Sequence, residues 1–257
     1  MKIAVFVKLV PDSAASLAVS GGQPDWGDAP LVINPWDEFA VEAALTLTEE
    51  HGGDVVAISL GDQASKEALK HALAMGCSEA ILISDETLAG ADAGAAARIM
   101  AAAMQKIGDV DLAVFGKSAI DSDSGMSAAM AARVLGWPAL SLVAAVKDVN
   151  DGSITVERSM EEGRQVVQSP LPAAISIVKD YGEPRYPSFM GIRKASKAEI
   201  PIWALADLGI EAPAAHVNVT EIMEPPRREV ANEIIEGSSP EEIAAALADK
   251  IIAEGVL

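Results

Sequence analysis

The sequence predicts an α/β fold: a doubly wound, mostly parallel sheet with an added antiparallel edge and a C-terminal arm. Three observations lead there. Short apolar runs alternate with longer segments of helical spacing, the pattern of parallel strands joined by crossover helices. The first run, Ile3 to Val7, is apolar throughout rather than alternating, as befits a strand buried on both faces. After Lys147 the alternation stops, and Asn150-Asp151-Gly152 gives a hairpin signal.

The elements follow in order. Asp12 to Pro30 is rich in Gly, Ser, Pro and Asp and reads as a long surface excursion. Trp36 to His51 has helical spacing, with Phe39, Val41, Ala44, Leu45 and Leu47 on one stripe. Asp54 to Leu60 is a second strand. Ser65 to Met75 is a helix closed by Gly76. Ala80 to Ser84 is a third strand, Asp92 to Ile107 a helix poor in large residues, and Asp111 to Phe115 a fourth strand. The helix Ala128 to Leu135 ends at Gly136-Trp137-Pro138, and Ala139 to Val146 follows. The hairpin pairs Ala144–Val149 with Ile154–Arg158; Gln165–Gln168 and Pro170–Val178 complete the antiparallel edge. Glu183-Pro184-Arg185-Tyr186-Pro187 is extended, because proline restrains itself and its predecessor. Met190 to Lys197 is a basic, helix-like run, and Pro213 to Pro226 is loop-like. Ser239-Pro240-Glu241-Glu242 starts a last helix through Ile252, with an N-cap, Pro at N1 and acids in the first turn. The organisation expected is a nucleotide-binding domain over residues 1–205 and an arm over 206–257. The last ~50 residues hold too few apolar side chains for their own core. They wrap either their own domain or another chain.

Composition narrows the function. Half of the 257 residues are apolar and 4% are aromatic, so the chain is globular. A formal net charge of −19 argues against nucleic acid and anionic membrane surfaces as partners. The single cysteine, Cys77, allows no intrachain disulfide and reads as a small buried hydrophobe. No apolar run reaches membrane-spanning length, and the sequence opens in a strand rather than a signal peptide. A cytoplasmic location without membrane insertion is the expectation. The three histidines lack metal-ligand spacing, and no G-x-S-x-G is present, so no catalytic constellation emerges.

The most informative stretch is Gly116-Lys117-Ser118-Ala119-Ile120-Asp121-Ser122-Asp123-Ser124-Gly125-Met126-Ser127. It joins a strand to a small-residue helix. Ligands of open parallel sheets sit beyond the carboxyl ends of strands, and a helix N-terminus suits a phosphate. The loop reads either as a phosphate cradle or as an ordinary helix cap; it has neither the P-loop nor the G-x-G-x-x-G pattern. Lys8-Leu9-Val10-Pro11 and Gly61 lie at the same sheet edge, so the loops converge on one crevice that suits an adenine-sized ligand. Asn34 suits an N-cap and Pro35 the first helical position. Trp36, in the first turn, either stacks on a ring or plugs an interface.

Taken together, the motifs identify a family. Val7-Lys8 with Pro11-Asp12, Asn34-Pro35-Trp36-Asp37-Glu38, Ala72-Leu73-Ala74-Met75-Gly76, the Gly116 loop, Leu135-Gly136-Trp137-Pro138, Val156-Glu157-Arg158, Glu183-Pro184-Arg185-Tyr186 and Asp207-Leu208-Gly209 occur in order from Lys2 to about Ile210. In these the chain resembles the β subunit of electron transfer flavoprotein, whose fold is similar to that of adenine-nucleotide hydrolases. The resemblance implies a heterodimer with an α subunit, which holds most of one FAD. It implies a structural AMP in the β crevice, replaced by a second FAD in an electron-bifurcating branch that uses NADH. It further implies an electron carrier rather than an enzyme, working between dehydrogenases and a quinone-linked or other acceptor. The implied nucleotide contacts are Phe6, Lys8, Asn34, Pro35, Trp36, Asp37, Leu60 and Gly116 to Ser127. The implied docking loop for dehydrogenases is Tyr186, Pro187, Ser188, Phe189, Met190, Gly191, Ile192, Arg193, Lys194 and Ala195, with Phe189 as the anchor. Ser159 stands where relatives often carry an acid that tethers the flavin domain; either Glu161 or Glu162 replaces it, or the tether is absent. Trp36-Asp37-Glu38 with Ala40-Val41-Glu42 looks more like the AMP branch. Two other classes share the sheet. A nucleotide hydrolase would need a Ser-Gly-Gly loop where Lys8-Leu9-Val10-Pro11 stands. A stress-type ATP-binding module would lack the arm.

Overall fold

A computed structural model of the chain describes residues 1–150, 152–224, 226 and 232–255. Along it run β1 (Lys2–Phe6), β2 (Leu9–Pro11), β3 (Ala18–Ser20), β4 (Gln23–Asp25), β5 (Leu31–Ile33), α1 (Pro35–His51), β6 (Asp54–Leu60), α2 (Lys66–Met75), β7 (Glu79–Ile83) and α3 (Ala93–Ile107). Then come β8 (Leu112–Gly116), α4 (Ser127–Leu135), β9 (Ala139–Asn150), β10 (Ser153–Met160), β11 (Gly163–Pro170), β12 (Ala173–Ile177), α5 (Phe189–Ala195), β13 (Ile202–Trp203) and α6 (Pro240–Ala253). Nine strands form one sheet in the order β11-β10-β9-β12-β8-β1-β6-β7-β13. From β9 to β13 the neighbours are parallel; β9, β10 and β11 pair antiparallel and make the added edge.

The pleat of β1 divides the core. Ile3, Val5 and Val7 face one layer, where they meet Ala40, Val41, Ala44 and Leu47 of α1 and Leu69 of α2. Ala4 and Phe6 face the other, against Ile99, Ala103 and Met104 of α3 and Ala128 and Ala132 of α4. This is the alternation a strand imposes on its side chains, here with both faces covered. Alanine-rich helix faces bring α1 and α4 close to the sheet.

Four regions differ from the sequence expectation. Pro170–Val178 does not complete the antiparallel edge: Pro170 ends β11, and Ala173–Ile177 lies inside the sheet, parallel to both β8 and β9. Asp12 to Pro30 is not a plain excursion. Its flanks and interior make two short antiparallel ribbons, β2 with β5 and β3 with β4. The β3–β4 turn is Gly21-Gly22, both at positive φ (59° and 75°), a two-residue hairpin turn that side chains disfavour. β13 is a short edge strand on β7 that follows Pro201. The strand after Gly136-Trp137-Pro138 and the first hairpin arm are one element, β9. Asp151, at the apex of the hairpin signal, lies outside the described residues, as do Pro225, 227–231 and 256–257 of the expected arm.

The chain separates into two compact units, Met1–Ile222 and Met223–Leu257. In the second, Ser239 caps α6 by accepting the Glu242 N–H at 3.3 Å, with Pro240 at the first helical position. Ile243, Leu247 and Ile251 recur at helical spacing and remain exposed.

Ala40, Ala43 and Ala44 are fully buried between α1 and the sheet, so methylenes added there have no room. Ala44→Leu is expected to cost about 1–3 kcal/mol, read as a lower urea midpoint.

Candidate functional site

The chain leaves β1 for β6 and β7 on one side and returns to β8 on the other. Such a reversal of direction opens a crevice beyond the carboxyl ends of the strands. Here the crevice holds a cavity of about 350 Å³. Phe6, Val7 and Lys8 come from the end of β1, Leu60 from β6, Phe115 to Ala119 from β8 and its loop. Asp37, Ser122, Ser124, Gly125 and Ser127 complete the side foreseen from the sequence. The opposite wall was not foreseen: it is Ala91, Asp92, Ala93, Ala96 and Met100, at and inside the start of α3. Only the aspartate before an apolar helix signalled that end, and it reads locally as a cap.

Asn34, Pro35, Trp36, Ile120, Asp121, Asp123 and Met126 fall outside the cavity lining, and several have other work. Asn34 occupies the N-cap position of α1 but makes no side-chain cap. Its fully buried amide instead donates to Ser118 O at 2.8 Å and accepts from Ile120 N at 3.2 Å. It is a strut for the cradle loop. Asp121 pairs with Lys8 at 2.6 Å. Trp36 is half-buried, with Lys117 Nζ 5.1 Å from its ring centroid, a cation–π distance.

Asp37 fastens the other corner. Its carboxylate accepts the Lys8 N–H at 2.8 Å and is buried. Burial pushes its pKa from 3.8 up to about 7, against the opposing bonds from Asn34, Lys8 and Gly116. Gly116 is needed for close approach: a Cβ there would lie 2.4 Å from Asp37 Oδ1 and 2.8 Å from the Trp36 carbonyl oxygen. The start of α1 and the end of β8 therefore touch backbone to backbone.

The cavity walls are chemically unlike. Phe6 and Phe115 stack face to face, with centroids 4.7 Å apart and planes 6° apart, and supply apolar aromatic surface. Across from them lie serine hydroxyls and the start of α4. Met126 stands at the α4 N-cap and offers no capping side chain, so the first-turn N–H groups keep their positive field. Ser118 is 8% exposed, and its Oγ is buried without a partner. Buried hydroxyls are normally satisfied, and this one is an exception beside the cavity. A flat apolar ring with an anionic end would complement both walls.

The expected docking loop forms a separate surface. Arg185 clamps its root to α1: Nε to Glu42 at 2.8 Å, a second nitrogen to Glu42 at 2.9 Å, and a third to Glu49 at 2.5 Å. The clamp holds the Glu49 carboxyl below its usual range, and that of Glu42 too, although burial opposes it there. Beyond the clamp Tyr186 is 93% and Phe189 81% exposed. Met190, Ile192, Arg193 and Lys194 are also exposed. Ala195 is buried and Gly191 half-buried, so these turn inward from the face. Ser188 caps α5 through the Gly191 N–H at 2.9 Å. Glu161 and Glu162 lie in the exposed turn between β10 and β11, next to Ser159.

Two outcomes follow for the corner. Asn34→Ala leaves Ile120 N and Ser118 O without their partner, at about 1–3 kcal/mol. Amide exchange should quicken over residues 116–127 while α1 keeps its protection. Asp37 holds its proton more tightly when folded, so its contribution is full below pH 4 and fades as pH rises through about 7. Chemical denaturation of wild type and Asp37→Asn across pH 4–8 should show a shallower fall with pH in the variant.

Comparison with known proteins agrees with this architecture. Residues 28–208 match the electron transfer flavoprotein domain. The chain is 34% identical to the caffeyl-CoA reductase–Etf complex subunit CarD of Acetobacterium woodii over 98% of both chains. It is 36% identical to protein FixA of Azorhizobium caulinodans over 82% of this chain and 78% of that one. It is 31% identical to the electron transfer flavoprotein subunit beta of Bacillus subtilis over 94% of each. The chain thus belongs to the electron transfer flavoprotein family, as a β subunit.

Proposed function

We propose that this β subunit binds adenosine monophosphate in the crevice between β1, β8 and α3, and that it serves as a cofactor-holding, docking chain rather than an enzyme. Electron transfer flavoprotein β subunits pair with an α subunit. In this reading the α subunit holds most of one FAD, which supplies the redox chemistry of the pair. The β chain contributes rigid walls, an anion site and a surface for partners.

The observation that carries the reading is a cavity lined by Ser118, whose Oγ is buried and unpartnered, and by Ser127 at the start of a helix that its N-cap residue leaves uncapped. A nucleotide phosphate there would take hydrogen bonds from hydroxyls and first-turn N–H groups. Ser122, Ser124 and Ser127 are the further donors within the lining. Phe6 and Phe115, stacked on each other and almost wholly buried, contribute to the apolar part of the lining. The volume of about 350 Å³ lies near the lower end of the roughly 300–1,000 Å³ range of small-molecule sites and is compatible with a mononucleotide.

One relative supports a second reading, a second FAD in place of AMP. CarD is named as part of a reductase–Etf complex, and the likeness to it runs nearly end to end. In the same scheme dehydrogenases dock at Tyr186 to Lys194, a quinone-linked or other acceptor takes the electrons, and the arm over residues 206–257 wraps the α subunit. Glu161 or Glu162 replaces the tether acid absent at Ser159. The site of action is cytoplasmic. Among the described residues no helix is long and apolar enough to cross a membrane.

The test is release of nucleotide from the heterodimer by acid, followed by chromatography. One FAD and one AMP per dimer are expected. Two FAD would favour the second reading, and no adenylate of either kind would refute both.

A further inference from the structure

The cavity wall at α3 joins two parts of the chain. Asp92 lines the cavity and also caps the helix: its Oδ1 accepts the Ala95 N–H at 2.7 Å. Its other oxygen, Oδ2, accepts two successive backbone N–H groups, His216 at 2.6 Å and Val217 at 3.0 Å. Three backbone donors thus converge on one carboxylate. They hold its pKa down to about 2. The segment it grips, residues 211–222, has neither helix nor strand. Val217 is 70% and Val219 76% exposed, so little apolar packing fixes this segment. Segments of that kind belong to the least stable parts of a fold.

We propose that residues 211–222 form a strap at the nucleotide site, with Asp92 as the positioning residue that couples it to occupancy of the cavity. This rests on the reading of the cavity as an adenylate site. One carboxylate cannot move for the strap without moving in the cavity wall and at the α3 cap. A ligand that packs against the wall fixes Asp92, and a fixed Asp92 holds both strap N–H groups. Coupling of this kind is reciprocal: the strap strengthens ligand binding by the factor with which the ligand stabilises the strap. The strap continues directly into Met223, where the second unit begins. The nucleotide would then be structural in a particular sense, by firming the part of the arm that leads into the second unit.

The experiment is amide exchange on the full chain, stripped of endogenous nucleotide, with and without saturating AMP. AMP is expected to slow exchange over both residues 116–127 and 211–222, by about tenfold or more in the strap. Asp92→Asn and Asp92→Ser keep a helix-capping oxygen, but neither can accept both strap N–H groups as the carboxylate does. In both variants the strap should lose its response to AMP while residues 116–127 and the first turn of α3 keep theirs. AMP affinity should weaken by the same factor, about tenfold or more. AMP protection of 116–127 without any change in 211–222 of the wild type overturns the strap alone. So does loss of α3 protection in step with the strap in both variants, since Asp92 would then be only a cap. No AMP effect at either segment overturns the reading of the cavity as an AMP site, and the strap with it.

Discussion

The start of α1 is stitched to the ends of β1 and β8 by two buried side chains, Asn34 and Asp37. Asn34 reaches across 84 and 86 residues of sequence to hold both backbone groups of the Gly116 loop. Asp37 holds Lys8 on the other strand. Without this stitch the loops after β1 and β8 would be free surface loops at the sheet edge. With it they are walls of a cavity whose shape is fixed before any ligand arrives. Preorganised donors lose less to ordering on binding than mobile ones do. The cost is a polar pair in the core, and it is offset only because each buried oxygen and nitrogen is matched. Gly116 belongs to the same constraint, since any side chain there would force the stitch apart.

The electrostatics of the site follow from that geometry rather than from net charge. A chain at −19 is a poor host for phosphate by its overall field. Its nearest cations are also committed: Lys8 to Asp121 and Lys117 to the Trp36 ring. What remains is local and directional. The two helices that end at the cavity are treated differently by their first residues. Asp92 fills the α3 terminus with a carboxylate of the chain's own, whereas Met126 leaves the α4 terminus open. An anion is therefore drawn to one end of the cavity and turned away from the other, which orients a ligand with a single charged end. Ser118, whose Oγ is buried and unpartnered, is among the residues that line that cavity.

The sheet was legible because its signal is local. Ile3 to Val7 and Leu112 to Phe115 are apolar without interruption, and each crossover helix ends at a glycine or a proline. The cavity's β8 side was legible for the same reason, as one continuous run from Gly116 to Ser127. What escaped was whatever depends on distant partners. Nothing next to Asn34 distinguishes a strut from a cap, and the local pattern favoured the cap. The sequence starts a helix at Asp92, which the structure makes its N-cap, and the two strap N–H groups lie 124 and 125 residues away. The ribbons within Asp12 to Pro30 failed for a different reason. Gly21-Gly22 is a hairpin signal, but its strands are three residues long and nearly without apolar alternation.

The basic, aromatic knob shows how an acidic protein can still present a specific surface. Phe189 and Tyr186 are almost wholly exposed, which ordinarily disfavours a soluble surface. Their backbone is not free, however. Arg185 locks the root of the loop through a forked pair with Glu42 and a second pair with Glu49, and Ser188 caps the helix that carries Phe189. A half-buried bidentate pair of this kind is worth more than an isolated surface ion pair, because its geometry is fixed and its remaining donors are used. Large side chains on a fixed base lose little freedom when a partner covers them, and this is the property that distinguishes an interface anchor from a hydrophobic accident. Arg193 and Lys194 on the same short helix give the knob a sign opposite to the body behind it. A partner with an acidic rim around an apolar pocket would then be steered to α5 while the rest of the surface repels it.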